Sequence, residues 1–474
     1  MPRTTSPFRA AAAAALLLVA TLVCAAPAAA HTRLRSSSPA DHATVDDTVR
    51  SIRLTFSAAV SPAMSHLELR LSDSIVARGA MRAVADGDAR AVEFVLPHPL
   101  APGGYVASWR AASADGHVVR GTLAFTVVSA TPPVAHPVAA SAFAPQPEAR
   151  NQQPAGDEGV AGDEETESDA ASPLPVAVRW AEFVALLGMI GAVAFNLLVV
   201  RRVRGEGMAR VADRAAYGAW HLALAAAALS LLTLLVRLWL QSAELNGPDQ
   251  AFNTEMLNAL LMGTVWGSGW ILQAVGTLAF FMGLMVARAP HGRSVGWMGA
   301  AVAALLLAAV PALSGHAAAE ERMTAVAIVS DWLHVLGAGA WLGTLAAVML
   351  AGLPAAAFAA EGAGTAGFAR IVAAFSPVAL AGSGTAAATG VVSALFHVGA
   401  VSDLWSTRYG LMLLAKLALL AVVAGIGFYN WRFVLPTLQT SQSPARLRRT
   451  AGMELATGLL VVLVTAILVA LPPP

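Results

Sequence analysis

Apolar positions along this chain follow different periods in different stretches. Between His31 and Val128 they alternate with polar residues in short runs: Ile52, Leu54, Phe56; Leu67, Leu69, Leu71; Val92, Phe94; Leu123, Phe125, Val127. Alternation buries one face of a strand and leaves the other wet, so these runs predict half-buried β-strands. Pro39, Pro62, Asp86-Gly87 and Pro102-Gly103-Gly104 punctuate them. The pattern suits a β-sandwich of about 100 residues and roughly seven strands, immunoglobulin-like or cupredoxin-like, with Tyr105 and Trp109 in or beside its core.

From residue 173 onward, alternation gives way to long apolar segments. Eight of them, roughly 174–200, 217–240, 268–287, 295–313, 324–352, 371–398, 409–433 and 452–471, have transmembrane character, which takes about 20 residues per helix. They predict an all-α, polytopic membrane domain over residues 173–474. Residues 129–172 show no period, are rich in Pro, Ala and Gln, and hold eight Asp/Glu between Glu148 and Asp169. That composition predicts a disordered tether. At the N-terminus, Arg3 and Arg9 precede an apolar stretch, Ala10 to Ala26, that ends in Pro27 and Ala28-Ala29-Ala30. Residues 1–30 therefore predict a signal peptide cleaved after Ala30, which makes His31 the first mature residue. Acylation of Cys24 is the competing reading, disfavoured because Leu22-Val23 does not resemble a lipobox.

Composition agrees with a soluble module joined to a membrane module. The chain is 57% hydrophobic and 12% charged, with a mean hydropathy of +0.64, which excludes a wholly water-soluble protein. Thirty basic residues balance twenty-nine acidic ones, and no basic block stands out in the soluble part, so nucleic acid is not an expected partner. The one cysteine, Cys24, falls in the segment to be removed. Any metal must then be held by His, Met, carboxylate or amine. Charge also orients the helices. Twelve arginines, from Arg201 to Arg449, fall on one side of the predicted spans, against Arg179, Arg322 and Arg408 on the other. By the positive-inside rule the richer side is cytoplasmic, which puts the N-terminal domain in the periplasm of a multi-pass inner-membrane protein.

The candidate chemistry lies at the edges of the soluble module. An N-terminal His31 offers its α-amine and Nδ1 as a chelate, and Asp115-Gly116-His117 adds a carboxylate and a second imidazole before the last strand. Three nitrogens and one oxygen suit Cu(II). The alternative is a plain turn, with His31 placed at the terminus by accident. The stretch His31 to Asp41, Leu54-Thr-Phe-Ser57, Tyr105, Trp109 and Ser113-Ala-Asp115-Gly-His117-Val-Val-Arg-Gly121 resembles the periplasmic copper-binding CopC family across nearly the whole module. That resemblance implies Cu(II) bound by His31, Asp115 and His117. Some relatives also carry a Met-rich Cu(I) site. Here the module has Met64 and Met81, with His66 near the first, too few for a separate Cu(I) site. Both methionines read as core or surface residues, and His42 and His98 as solvated.

Ionisable residues inside membrane spans are expensive and therefore functional candidates. His316 follows the fourth span, Asp331 and His334 share one face of the fifth, and His397 lies near the end of the sixth. His334 sits ~15 Å below the outer end by helical rise. Together these four could form a copper entry path, or each could bridge helices through hydrogen bonds. Glu182, Lys416 and Glu454 are further candidates; Lys416 could pair with an acid, and Arg237 could snorkel outward. Gly337, Gly339 and Gly343 suit close helix packing. Ser314-Gly-His316-Ala, Asp331-Trp-Leu-His334-Val-Leu-Gly-Ala-Gly-Ala-Trp341-Leu-Gly343, Phe375-Ser-Pro377, Thr389-Gly390, Tyr409-Gly, Lys416 and Glu454 resemble the CopD copper-resistance family over most of residues 173–474. A CopC domain followed by a CopD domain is a known arrangement, and it implies copper handling and movement of copper across the inner membrane. The expectation is a copper transporter, not an enzyme, importing from the periplasm with copper ions, lipid and other periplasmic copper carriers as partners. A haem b redox carrier and a histidine-brace copper oxidase are the alternatives.

Overall fold

The computed structural model describes residues 32–46, 49–113, 118–129, 172–205, 208–289, 291–314, 324–358, 363–397, 400–434 and 443–471. The expected signal peptide, most of the expected tether, His31, Asp115, His117 and His316 lie outside these residues. The chain divides into two compact units, one within His31–Ser168 and one containing Asp169–Pro474.

The first unit has nine strands among its described residues: β1 (Leu34–Ser38), β2 (Ala43–Asp46), β3 (Ser51–Phe56), β4 (Val60–Leu71), β5 (Ser74–Ala80), β6 (Arg82–Ala83), β7 (Ala91–Val95), β8 (Gly103–Ser113) and β9 (Val118–Val128). The sequence suggests about seven because β2 and β6, at 4 and 2 residues, are too short for alternation to show. One sheet runs β1-β3-β7-β6 and the other β2-β9-β8-β4-β5. Neighbours are antiparallel except β2 and β9. Ile52, Leu54 and Phe56 of β3 and Val92 and Phe94 of β7 pack with Leu67, Leu69, Tyr105, Trp109, Leu123 and Phe125 from the other sheet, forming one sandwich core. Trp109 meets Phe56 edge-on at 5.4 Å, and Tyr105 stacks on Phe125 at 5.6 Å while donating to the Ala101 carbonyl at 2.8 Å. Gly121 stands opposite Trp109 across β8 and β9, and a Cβ there would lie 2.5 Å from the indole, so the bulk of Trp109 demands glycine. Met64 and Met81 are buried in this unit, whereas His42 and His98 are exposed.

The second unit contains, among its described residues, eight helices long and apolar enough to cross a membrane: α1 (Pro173–Gly205), α2 (Ala209–Leu245), α3 (Val265–Arg288), α4 (Arg293–Leu313), α5 (Ala325–Ala357), α6 (Ala366–Leu395), α7 (Arg408–Val434) and α8 (Ala445–Leu468). Several outrun their apolar windows. α1 continues through Arg201, Arg202 and Arg204, and α2 begins before Arg210 and Arg214, because a helix extends past the hydrocarbon into its charged ends. Wide π turns interrupt α1 at Phe195–Val200, α5 at Gly339–Gly343 and Val348–Gly352, and α7 at Asn430–Val434.

Glycines press α5 against its neighbours. A Cβ on Gly191 of α1 would collide with the Gly343 carbonyl, and one on Gly337 would lie 2.7 Å from the Gly382 oxygen of α6. A Cβ on Gly339 would meet Ile190 at 2.6 Å. The close packing expected at Gly337, Gly339 and Gly343 is therefore present. Asp213 of α2 accepts from Arg204 of α1 at 2.5 Å and Arg293 of α4 at 3.4 Å. Arg214 donates to the Phe358 carbonyl beyond α5 at 3.2 Å. These ties gather basic residues from α1, α2 and α4 at one end of the bundle, the end at which α5 finishes.

Candidate functional site

At the opposite end of the bundle, α5, α6 and α7 place a polar group around His334. Ser330, Asp331 and His334 recur at helical spacing on α5, and the Ser330 hydroxyl donates to the Thr389 carbonyl of α6 at 3.3 Å. His334 Nδ1 lies 3.2 Å from the Thr389 hydroxyl oxygen. That hydroxyl is itself 2.7 Å from the Thr385 carbonyl. A hydroxyl has one proton, and with that proton given to Thr385 it can only accept from His334. Nδ1 thus carries the imidazole hydrogen and Nε2 keeps a lone pair, the state in which histidine binds a metal. Gly390 leaves room beside the ring, since a Cβ there would stand 3.4 Å from His334 Cε1.

Lys416 of α7 interacts electrostatically with both His334 and Asp331, and Tyr409 with Asp331. The acid whose charge acts on Lys416 is thus Asp331. An entering cation must compete with this ammonium for the carboxylate. The four-residue path expected from sequence is not assembled among the described residues. His316 lies outside them, and His397 ends the described helical residues just beyond α6, with a side chain that is also outside them. No group of three His, Cys, Asp or Glu side chains comes together among the described residues. Helical spacing puts Asp331 and His334 on one face of α5, but it carries no information about which helix faces them, and there the structure supplies a lysine, a threonine and a tyrosine.

A second polar group ties α1, α2 and α3. Arg237, expected to snorkel, turns to Glu182 at 2.5 Å and to the Gln273 side-chain oxygen at 3.2 Å, while Gln273 donates to the same Glu182 oxygen at 2.6 Å. The Arg237 guanidinium also lies 5.9 Å from the Trp266 ring centre. A carboxylate within reach holds the arginine more strongly than the distant interface does. Gln273 is not apparent in the sequence, since an amide in an apolar segment carries no periodic mark. Glu454 of α8 forms a third group with Trp341 and Asn430.

In the β unit, the Arg33 amide donates to the Ser57 hydroxyl at 2.9 Å, and the Ser57 amide donates to the Arg33 carbonyl at 2.8 Å. Ser113, the last residue of β8, stands opposite Val60 of β4. The described residues flanking His31 on one side and Asp115 and His117 on the other are therefore anchored to the two ends of one short connection, between β3 and β4. Asp41 has a different role: one carboxylate oxygen accepts from the Ala124 amide at 2.8 Å and the His42 amide at 3.1 Å, pinning the β1–β2 turn to β9. Burial beside Arg110 holds the His66 imidazole below its ordinary value, partly offset by a hydrogen bond with the Met64 backbone.

Comparison with known proteins finds three family matches along the chain. Residues 34–128 match the CopC domain, residues 169–326 the copper resistance protein D-like N-terminal domain, and residues 369–468 copper resistance protein D. The copper transport protein CutJ of Bacillus subtilis is 25% identical over 94% of this chain and 75% of its own length. Copper resistance protein D of Pseudomonas syringae pv. tomato is 27% identical over 64% of this chain and 97% of its own. Copper resistance protein C of Xanthomonas campestris pv. juglandis is 32% identical over 22% of this chain and 86% of its own. Among solved structures, CopC from Methylosinus trichosporium OB3b is 31% identical, covering 22% of this chain and 98% of that one, with a TM-score of 0.20. This chain is a multi-pass membrane protein of the CopC/CopD copper-resistance family, with its CopC domain fused ahead of its CopD domain.

Proposed function

We propose that this protein collects Cu(II) outside the inner membrane and carries copper through its helical unit into the cytoplasm. The observation that carries the reading is His334. It sits inside a membrane helix, its tautomer set by Thr389 so that Nε2 is available, with Asp331 one turn away. Removal of the signal peptide exposes the α-amine and imidazole of His31, which bind Cu(II) with Asp115 and His117 in the periplasm. Residues 129–172 act as the tether between collection and transport, and other periplasmic copper carriers supply the metal.

The arginine-rich end of the bundle faces the cytoplasm by the positive-inside rule, so His334 opens toward the periplasm. Copper then flows inward, driven by a gradient or by cytoplasmic trapping. The chain acts as a carrier rather than an enzyme. Cells expressing it under copper limitation should accumulate more cytoplasmic copper, and His334→Ala should abolish the gain while Cu(II) binding to the β unit persists. Lower cytoplasmic copper on expression would reverse the direction. A Soret band in the purified protein would replace the carrier reading with a haem one.

A further inference from the structure

Glu454 is 7% exposed, and its carboxylate meets two neutral donors: the Trp341 indole of α5 at 3.4 Å and the Asn430 amide of α7 at 3.1 Å. The helices α1, α5 and α8 pack on one another through an apolar cluster that includes Phe183, Leu342 and Leu455. Titratable groups of α1, α5, α7 and α8 have partners of their own. On α1, Arg179 donates to the Ala466 carbonyl and Glu182 holds Arg237. On α5 and α7, Asp331, His334, Tyr409 and Lys416 belong to the first polar group. Tyr429 of α7 bonds Arg446 of α8, and Arg432 and Arg448 lie over the rings of Phe433 and Phe368. No cation pairs with Glu454 among the described residues.

An ionised carboxylate with neutral donors alone is costly inside a bilayer, and the acid form avoids that cost. Asn430 supplies what the acid form needs. Its side chain is 8% exposed, and its Oδ1 is buried with no hydrogen-bond partner. Turning the amide over exchanges Nδ2 for Oδ1 with no change of shape, so Asn430 can donate to a carboxylate or accept from a carboxylic acid. The pair is built for both protonation states. Both partners of Glu454 sit in π turns, Gly339–Gly343 and Asn430–Val434, segments that in other helices mark functional positions. Trp341 follows His334 by two helical turns, ~10 Å along α5, toward the arginine-rich end.

We propose that Glu454 is a proton site coupled to copper movement, protonated when the His334 group is empty and releasing its proton when copper occupies that group. This rests on the copper-carrier reading. A cation arriving two turns away favours the carboxylate over the acid, and the proton leaves toward the water at the arginine-rich end. Once copper has passed on to the cytoplasm, Glu454 takes up a proton again from the periplasmic side, so each cycle carries a proton inward with the copper and the inward proton gradient drives uptake.

The test uses the full chain in liposomes containing a pH-sensitive dye, with copper added outside. Wild type should show proton movement in a fixed ratio to copper taken up, and Glu454→Gln should lose the proton signal while still binding copper. A folded Glu454→Gln variant with an unchanged ratio would overturn the proposal. Infrared difference spectra of wild type with and without copper serve as the second measurement should that variant not fold. They should show loss of a buried carboxylic-acid band on copper binding, and an unchanged band would overturn the proposal. Wild type that moves no copper would defeat the carrier reading, while the infrared outcome would still decide whether copper displaces the proton.

Discussion

The Thr389 hydroxyl of α6 accepts from His334 Nδ1 of α5, because its own proton is directed to the Thr385 carbonyl, 2.7 Å away. A threonine one helix away thus decides which nitrogen of the histidine is available. Replacing it by Val keeps the shape and removes the acceptor, and loss of such an orienting partner typically weakens metal binding about 10–100-fold. Thr389→Val should therefore lower copper affinity in the membrane unit by that order, and Thr389→Ser should restore it. Isothermal titration of the full chain, with the β-unit site removed by His117→Ala, checks this.

In the β unit, His117→Ala should weaken Cu(II) binding strongly, whereas Met64→Ala should leave it nearly unchanged and instead destabilise the fold. Met64 is 1% exposed, and truncating a buried methionine costs about 2–5 kcal/mol. Competition titrations and thermal melts of the full chain separate the two effects. Equal losses of affinity would reassign the ligands. Mass spectrometry of the exported chain should also find its N-terminus at His31.

Stability of the copper-free β unit should fall with acidity through His66. Burial, then the charge of Arg110, holds its imidazole below the ordinary value. The unfolded chain therefore takes up the proton first, and stability present above about pH 6.5 is lost as pH falls through the folded value. Melting temperature against pH should show that decline, and His66→Gln should flatten it.

The Glu182–Arg237 pair should behave as a structural tie. Glu182→Gln leaves the arginine with only the Gln273 oxygen, and since Arg237 is partly exposed the cost should fall below the ~3–5 kcal/mol of breaking a fully buried pair. Removing both charges should recover part of that loss. Denaturation of the single and double variants in lipid or detergent measures the coupling.

Gly191→Val would drive a side chain into the backbone of Gly343, which leaves no room even for a Cβ. The crossing of α1 and α5 cannot open without moving the π turn that holds Trp341. The yield of folded protein and copper uptake should fall together, while Cu(II) binding to the β unit persists.

The architecture is legible in the order of residues. Alternation marks β3, β4, β7 and β9, and eight apolar segments mark α1 to α8, because burial has a different period in a strand and in a membrane helix. The same reading makes Asp331 and His334 neighbours, since residues three apart share a helix face. Whatever depends on which helix faces which came from the folded bundle. It brought Lys416 to Asp331, Thr389 to His334, Gln273 and Glu182 to Arg237, and Asn430 to Glu454. Those partners lie on different helices, 24 residues apart for Asn430 and Glu454, 55 for His334 and Thr389 and further still for Lys416 and Asp331, and no local period encodes them. They are fixed by glycine contacts such as Gly191 with Gly343 and Gly337 with Gly382, which set how closely and at what rotation the helices meet.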